Sequence, residues 1–155
     1  MIRLNHAEIT VPPGFTRQHR ADFDAFFIGV LGFEPSAFPG IEQTSLVYKT
    51  DAEASQFLFI AEHDQPMARV SDDHLGLHVD SAAEVAALLA RCEAFGADHS
   101  GLEIRRLDVL DLEATVTHAF YVRYLLPIWF DVQHIAHKPG HAPAREWRFV
   151  AAGSR

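Results

Sequence analysis

The sequence predicts an α+β protein built from two paired βαβββ units. Three observations support this fold class. Apolar and polar residues alternate along several short segments, which is typical of strands with one buried face. An amphipathic helix pattern follows the first strand of each half of the chain. The opening pattern also repeats, because His-x-x-Ile/Leu-x-Val begins at His6 and again at His74.

The length and composition predict one domain. A chain of 155 residues, 48% of them hydrophobic, can bury one sizeable core and is short for two ordinary domains. We expect a single domain over residues 1–136, with units of about 1–64 and 72–136, and a C-terminal tail over 137–155.

The charge and the cysteine content limit the classes of binding partner and the cellular compartment that we expect. The formal net charge is −8, and the 13 Lys and Arg residues are scattered, so we expect neither nucleic acid nor an anionic membrane as a partner. We expect no signal peptide, because Met1 to Pro13 lacks a long apolar run, and no stretch approaches the roughly 20 apolar residues that a membrane span needs. The single cysteine, Cys92, excludes an internal disulfide. These features favour a cytoplasmic protein that binds a small molecule.

The first unit begins with a strand over Leu4–Val11, which Pro12 ends. A helix follows, since its apolar residues recur at helical spacing, and Gly32 supplies its C-terminal stop. These residues are Phe23, Phe26, Phe27, Val30 and Leu31. A loop or irregular edge strand comes next, and Thr44–Tyr48 and Gln56–Ala61 are the following strands.

The second unit begins at His74. Leu75, Leu77 and Val79 would face the helix, which leaves His74, Gly76 and His78 on the opposite face. Ser81 and Glu84 form a capping box at the start of the second helix, and Gly96 is expected to end it. The remaining strands are predicted over Ile104–Val109, Ala114–Arg123 and Ile128–Ile135.

Three residues form a candidate metal site. His6, His74 and Asp131 all lie on strand faces opposite the helix-facing residues, so they could converge on one concave surface. Two imidazoles and one carboxylate suit Fe(II), and the same ligands tolerate Mn, Zn or Ni. Glu8, Glu62 and Gln133 are alternative ligands. Considered singly, His6 and His74 also fit the description of ordinary strand histidines.

The order of elements, the two leading histidines and the segment Tyr121–Asp131 resemble the vicinal oxygen chelate superfamily of glyoxalases, bleomycin resistance proteins and extradiol dioxygenases. The resemblance implies that each unit is a curled mixed sheet, or half-cup, and that the two enclose one divalent metal. The family's ligand positions, on the first and fourth strand of each unit, fall on His6, His74, Asp131 and, in place of a ligand, Phe59. The resemblance implies four metal ligands for a glyoxalase I, so the three ligands expected here argue against that enzyme.

The same resemblance implies a reaction. Extradiol dioxygenases carry a tyrosine ten residues before the metal carboxylate, and Tyr121 stands ten residues before Asp131. Tyr121 would therefore hydrogen-bond a catecholic oxygen or help to deprotonate it. His118 or His78 would act as a further acid or base. The expected aromatic lining of the cup consists of Phe57, Phe59 and Trp129.

The sequence therefore predicts a metal-dependent enzyme for a small substrate with adjacent oxygens, first a ring-cleaving dioxygenase. A glyoxalase-like lyase or isomerase is one alternative, and a metal-free binding protein of the bleomycin-resistance type is another. A homodimer is expected, because edge strands of open half-barrels tend to be covered by a partner.

Overall fold

The computed structural model describes residues 4–37, 39–40, 44–50 and 56–144. These residues divide into two compact units, of which unit 1 extends to Ala68 and unit 2 begins at Arg69. Residues 145–155 of the predicted tail lie outside the described residues. Each unit contains one open sheet with helical segments on one side, which confirms the predicted α+β class and the paired βαβββ units.

Unit 1 contains four strands and one interrupted helical segment. Its elements are β1 (His6–Val11), α1 (Phe15–Gln18), α2 (Arg20–Asp24), a π-helical turn (Ala25–Val30), β2 (Glu34–Ser36), β3 (Ser45–Lys49) and β4 (Phe57–Glu62). The strand order is β1-β4-β3-β2, with β1 parallel to β4 and the other pairs antiparallel. The parallel pair requires the crossover that the helical segment provides.

The helical segment of unit 1 is held by aromatic packing. Phe23, Phe26 and Phe27 are fully buried, as their helical spacing predicts. The ring of Tyr48 stacks on Phe27 with 5.0 Å between centroids, and its hydroxyl donates a 2.7 Å hydrogen bond to the Asp24 carboxylate. The segment ends at Gly32, whose φ of 77° is the left-handed conformation that favours glycine.

Unit 2 repeats this order with a longer helix. Its elements are β5 (His74–His78), α3 (Ala82–Asp98), β6 (Glu103–Arg106), β7 (Leu110–Asp111), β8 (Thr115–Arg123) and β9 (Trp129–His137). The strand order is β5-β9-β8-β6, and the short β7 also pairs with β8. As in unit 1, the first and last strands are parallel and adjacent.

The start of α3 is as predicted, and its end is not. The Ser81 side chain accepts a 3.2 Å hydrogen bond from the backbone N–H of Glu84, and the Glu84 carboxylate accepts one from Asp80. The prediction that Gly96 ends the helix is wrong, because α3 continues to Asp98. A Cβ at Gly96 would lie 3.0 Å from the Leu102 side chain, so this glycine allows close packing instead of a stop.

The predicted strand over Ile104–Val109 is wrong in its second half. The pairing of β6 with β8 ends at Arg106 opposite Phe120, and the pairing of β7 resumes at Leu110 opposite Thr117. Three residues on one strand therefore face two on the other. This extra residue interrupts the ladder in the manner of a β-bulge.

The helix side of the unit 2 sheet carries a buried apolar cluster. Phe120, Val122, Phe130 and Val132 are buried and share this side by strand alternation. Cys92 of α3 is also buried, which raises the pKa of its thiol to about 12. Among the described residues, no helix is long and apolar enough to cross a membrane.

Candidate functional site

The side of the unit 2 sheet away from α3 carries two rows of polar and aromatic side chains, and we call it the open face. Cross-strand partners place the residues of each row side by side. The histidine row consists of His74, Trp129, Arg123 and Glu103. The aspartate row consists of Gly76, Asp131, Tyr121 and Arg105. Four predicted site residues of unit 2 are thus brought together, namely His74, Tyr121, Trp129 and Asp131.

His74 is held in a defined orientation. Its Nδ1 lies 2.9 Å from the backbone carbonyl oxygen of Asp72, and an oxygen of this kind can only accept, so Nδ1 carries the proton. In the neutral imidazole, Nε2 is then an acceptor with a free lone pair. That Nε2 lies 3.9 Å from the Asp131 Oδ2. The histidine also stacks on the Tyr121 ring, with 5.0 Å between centroids.

Asp131 is a buried carboxylate, and one of its oxygens lacks a hydrogen-bond partner among the described residues. The residue is 7% exposed, and the oxygen in question is the buried Oδ1. Burial raises the pKa of the carboxyl, and His74 opposes that rise. A buried carboxylate ordinarily has hydrogen bonds or a cation close to it.

Tyr121 lies between Asp131 and Arg105 in the aspartate row. Burial raises the pKa of the phenol, the carboxylates of Asp131 and Asp72 raise it further, and Arg105 lowers it. The phenol therefore stays protonated at neutral pH and can donate a hydrogen bond.

Two arginines that the sequence reasoning missed surround Trp129. The guanidinium carbons of Arg105 and Arg123 lie 4.3 and 4.1 Å from the indole ring centroid, within the range of cation–π contacts. The indole N–H donates a 2.9 Å hydrogen bond to the Ser71 carbonyl. Since Trp129 is only 2% exposed, its ring offers little surface to a ligand and mainly supports the two arginines. Alternation along β6 and β8 was the signal that could have placed these arginines on the open face.

Arg123 makes three hydrogen bonds within unit 2. Its guanidinium donates to both carboxylate oxygens of Glu103, at 3.2 and 3.0 Å, and to the Val70 carbonyl at 3.0 Å. The hydrogen bonds from Arg123 have the largest effect on the pKa of Glu103 and hold it below its usual range, although burial acts in the opposite direction. The pair is therefore a structural ion pair at the end of the histidine row.

In unit 1, His6 occupies the position that corresponds to His74. It pairs across the sheet with Phe57, and the two rings stack with 5.0 Å between centroids. Its Nδ1 lies 2.9 Å from the Asn5 side-chain oxygen. Phe59 pairs with Glu8, two residues beyond the histidine, as Asp131 pairs with Gly76 in unit 2. Phe59 is thus the counterpart of Asp131, as the sequence predicts.

Of the other predicted residues of unit 2, one lies on the helix side of the sheet and the others lie on the open face. His118 pairs with His134 and, by alternation, lies on the opposite side of the sheet from Tyr121. His78 and Gln133 pair on the open face, one row beyond Asp131.

The alternative ligand Glu62 accepts hydrogen bonds at the start of α1 instead of facing the side of the sheet that carries His6. It accepts hydrogen bonds from the backbone N–H and the hydroxyl of Thr16 at the start of α1. Glu62 and Leu46 also line a cavity of about 420 Å³ on the helix side of the unit 1 sheet. Glu62 therefore lies on the opposite side of that sheet from His6.

A divalent cation fits the arrangement of His74 and Asp131. The His74 Nε2 lies 3.9 Å from one oxygen of the Asp131 carboxylate, and among the described residues the other oxygen has no hydrogen-bond partner. The Asp72 carbonyl fixes the ring of His74, as such partners do for metal-ligating histidines. Within either unit taken by itself, the described residues include no group of three or more His, Cys, Asp or Glu side chains arranged to hold a metal. Unit 2 thus offers two ligands.

Comparison with solved structures supports the fold. The sequence matches no protein-family model and no curated protein sequence. The chain is similar in structure to a glyoxalase/bleomycin resistance protein from Albidiferax ferrireducens T118, with a TM-score of 0.56, 16% identity, and coverage of 84% of this chain and 97% of that one. It is also similar to lactoylglutathione lyase from Agrobacterium tumefaciens, with a TM-score of 0.56, 14% identity, and coverage of 86% and 94%.

A third similar structure is TnmS3, an antibiotic binding protein from Streptomyces sp. CB03234. Its TM-score is 0.56 at 14% identity, with coverage of 88% of this chain and 98% of that one. At such identities the likeness concerns the fold alone. The resemblance to vicinal oxygen chelate proteins that the sequence indicates is therefore confirmed as a likeness of fold.

Proposed function

We propose that the protein is a divalent-metal-dependent enzyme for a small substrate with two adjacent oxygens, and that it acts as a ring-cleaving dioxygenase of the extradiol type. One observation carries the proposal. The Nε2 of His74 lies 3.9 Å from the carboxylate of Asp131, its Nδ1 is held by the Asp72 carbonyl, and Asp131 Oδ1 has no hydrogen-bond partner among the described residues.

The metal would be held by His74 and Asp131, and His6 of unit 1 remains the predicted third ligand. Two histidines and a carboxylate favour Fe(II), with Mn, Zn and Ni as alternatives. When bound, such an ion acts as a Lewis acid toward both substrate oxygens, and iron can also bind O₂. The protein's part is to orient these ligands through the Asp72 carbonyl and the Tyr121 ring.

Tyr121 would donate a hydrogen bond to one substrate oxygen. The raised pKa of its phenol supports a donor over a base, because the hydroxyl keeps its proton at neutral pH. Its stacking on His74 holds the ring beside the proposed metal ligands. We therefore expect Tyr121→Phe to reduce turnover about tenfold to a hundredfold while it leaves metal affinity unchanged.

The test begins with metal analysis of protein that has been purified without oxygen. We expect one divalent ion per chain in the wild type and none in His74→Ala, while His6→Ala measures whether the predicted third ligand contributes. Oxygen uptake with catechol and substituted catechols, followed by ring-cleavage absorbance, then tests the reaction. Protein without stoichiometric metal, whose ligand binding His74→Ala leaves unchanged, would contradict the proposal.

Two alternative functions are each supported by a likeness of fold to a solved structure. The likeness of fold to lactoylglutathione lyase favours a lyase or isomerase, which would turn over substrate without oxygen uptake. The likeness to TnmS3 favours a metal-free binding protein, which would bind its ligand tightly in chelator without any turnover. The same two assays, oxygen uptake and binding in chelator, separate the three functions.

We also propose a homodimer. Leu107, Val109, Leu110 and Leu112 are each about half exposed beside the bulge in β6 and β7, and a second copy of the chain would cover them. Light scattering at several protein concentrations tests this, since a monomer at every concentration would contradict it.

A further inference from the structure

We propose that Arg105 binds a carboxylate group of the substrate, so that the substrate is a small carboxylated molecule with two adjacent oxygens. The inference rests on the proposed function for the place of those oxygens at His74 and Asp131. The carboxylate contact itself depends only on residues of unit 2.

Arg105 stands at the correct distance for this role. It pairs with Tyr121 on β8, which pairs in turn with Asp131 on β9. Neighbouring strands are about 4.8 Å apart, so roughly 10 Å separates the backbone of Arg105 from that of Asp131. The Arg105 side chain and one aromatic ring of a substrate can together span this distance, and Tyr121 lies on the strand between the two residues.

The guanidinium of Arg105 is oriented and keeps donors for a ligand. Its Nη1 donates to the Asp72 carboxylate at 2.7 Å, and its Nη2 makes a longer contact of 3.4 Å with the Ser71 carbonyl. The Trp129 ring supports its flat side at 4.3 Å. A guanidinium has five N–H donors, and the Arg105 side chain is 45% exposed, so a ligand can reach the others.

Asp72 connects this arginine to the proposed metal ligand. Its carboxylate accepts from Arg105, and its backbone carbonyl accepts from His74. One residue thus fixes the relative positions of the cation for the carboxylate and the imidazole for the metal. Such positioning is what a site needs to hold two ends of one small substrate.

The neighbouring arginines have other partners. The side chain of Arg123 is 7% exposed, and it donates hydrogen bonds to the Glu103 carboxylate and the Val70 carbonyl. Arg106 lies on the helix side of the sheet and donates to Glu93. A planar guanidinium can hold a carboxylate with two parallel hydrogen bonds, and the single charge of a carboxylate suits one arginine better than the higher charge of a phosphate group.

The contact can be measured without metal. The chain has two tryptophans, so Trp147→Phe leaves Trp129 as the only one and makes its fluorescence a report on the guanidinium beside it. In this background, benzoate and the neutral benzamide are titrated in chelator. A charge-assisted hydrogen bond predicts at least about tenfold tighter binding of benzoate. Arg105→Gln should abolish that preference, Arg105→Lys should keep part of it, and the control Arg106→Gln should keep it whole.

Equal binding of benzoate and benzamide would overturn the inference, as would a benzoate preference that survives in Arg105→Gln. Tighter binding of phenyl phosphate than of benzoate would overturn the choice of a carboxylate. A parallel Co²⁺ titration separates the two proposals, because Arg105→Gln should bind the ion like the wild type. Absent Co²⁺ binding with an Arg105-dependent benzoate preference would overturn the metal enzyme and support the carboxylate site.

Discussion

The two units have the same first row across their sheets and different second rows. In the first row each unit places a histidine, an aromatic ring, a cation and a glutamate on successive strands. These are His6, Phe57, Lys49 and Glu34 in unit 1, and His74, Trp129, Arg123 and Glu103 in unit 2. The second row is Glu8, Phe59, Val47 and Ser36 in unit 1, and Gly76, Asp131, Tyr121 and Arg105 in unit 2.

The first row reflects the repeated fold, whereas the second row differs in its functional side chains. The shared first row follows from one repeated βαβββ plan. In the second row the carboxylate changes strand, since unit 1 has Glu8 on its first strand and unit 2 has Asp131 on its last. Glu8 is exposed, whereas Asp131 is buried beside a histidine. A buried carboxylate with an oxygen that lacks a hydrogen-bond partner is costly to the fold, so its presence in the second row of unit 2, where the second row of unit 1 has the exposed Glu8, indicates a site with a function.

The largest expected effect is on metal affinity. Asp131→Asn should abolish divalent metal binding, because it removes the charged ligand and leaves a neutral amide. The matched change Glu8→Gln in the second row of unit 1 should leave the affinity within about twofold. Titration with Co²⁺, followed by its visible absorption, measures both. Loss of binding in Glu8→Gln with retention in Asp131→Asn would reverse the roles of the two rows.

The next effect concerns the aromatic residue of the first row. Trp129→Ala should lower the free energy of unfolding by about 3–5 kcal/mol, because it removes a buried indole that contacts two guanidinium groups. Phe57→Ala should cost less, about 1–2 kcal/mol, since Phe57 is only partly buried. Denaturant unfolding compares the two variants. Equal losses would mean that the first rows are equivalent in energy as well as in pattern.

The smallest effect concerns the glutamates, and it depends on pH. The pKa of Glu103 is lowered by Arg123, so its contribution to stability is present above the unfolded pKa of about 4.5 and is lost as the pH falls through the lower folded value. Glu103→Gln should therefore cost about 1 kcal/mol at pH 7, a value kept small because Glu103 is partly exposed. The loss should shrink below pH 4.5.

Glu34→Gln is the control for that measurement. Glu34 is exposed at the edge of unit 1, so its change should stay within about 0.5 kcal/mol at both pH values. Thermal melts at pH 7 and pH 4 measure the two variants together. A Glu103→Gln loss that is constant with pH would show that the charge of Glu103 does not support Arg123.

Much of this arrangement could be predicted from the sequence, because alternation fixes which side chains share a face. The alternation of β5 placed His74 and Gly76 away from α3, and that of β9 placed Asp131 with Trp129. What it could not give was register across strands. The contact of Arg105 with Asp72 and Trp129 depends on which residues of β6, β8 and β9 lie opposite one another, and no local pattern encodes this.

Helix ends and bulges show the same limit. The capping box at Ser81 is local and was predicted, whereas Gly96 needed knowledge of Leu102, its distant neighbour in space. The bulge after Arg106 likewise depends on the partner strand. His118 was considered for its proximity to Tyr121 in the sequence, yet an odd spacing of three residues along β8 puts the two on opposite sides.

We propose that the open face of unit 2 holds a metal ligand pair that unit 1 lacks at the matching positions. The most direct measurement is a crystal structure of Zn²⁺-loaded protein with anomalous diffraction at the zinc edge. We expect one peak at about 2.0–2.2 Å from both the Nε2 of His74 and a carboxylate oxygen of Asp131. A peak at Glu8 or Glu62, or a loaded crystal without a peak at His74, would contradict it.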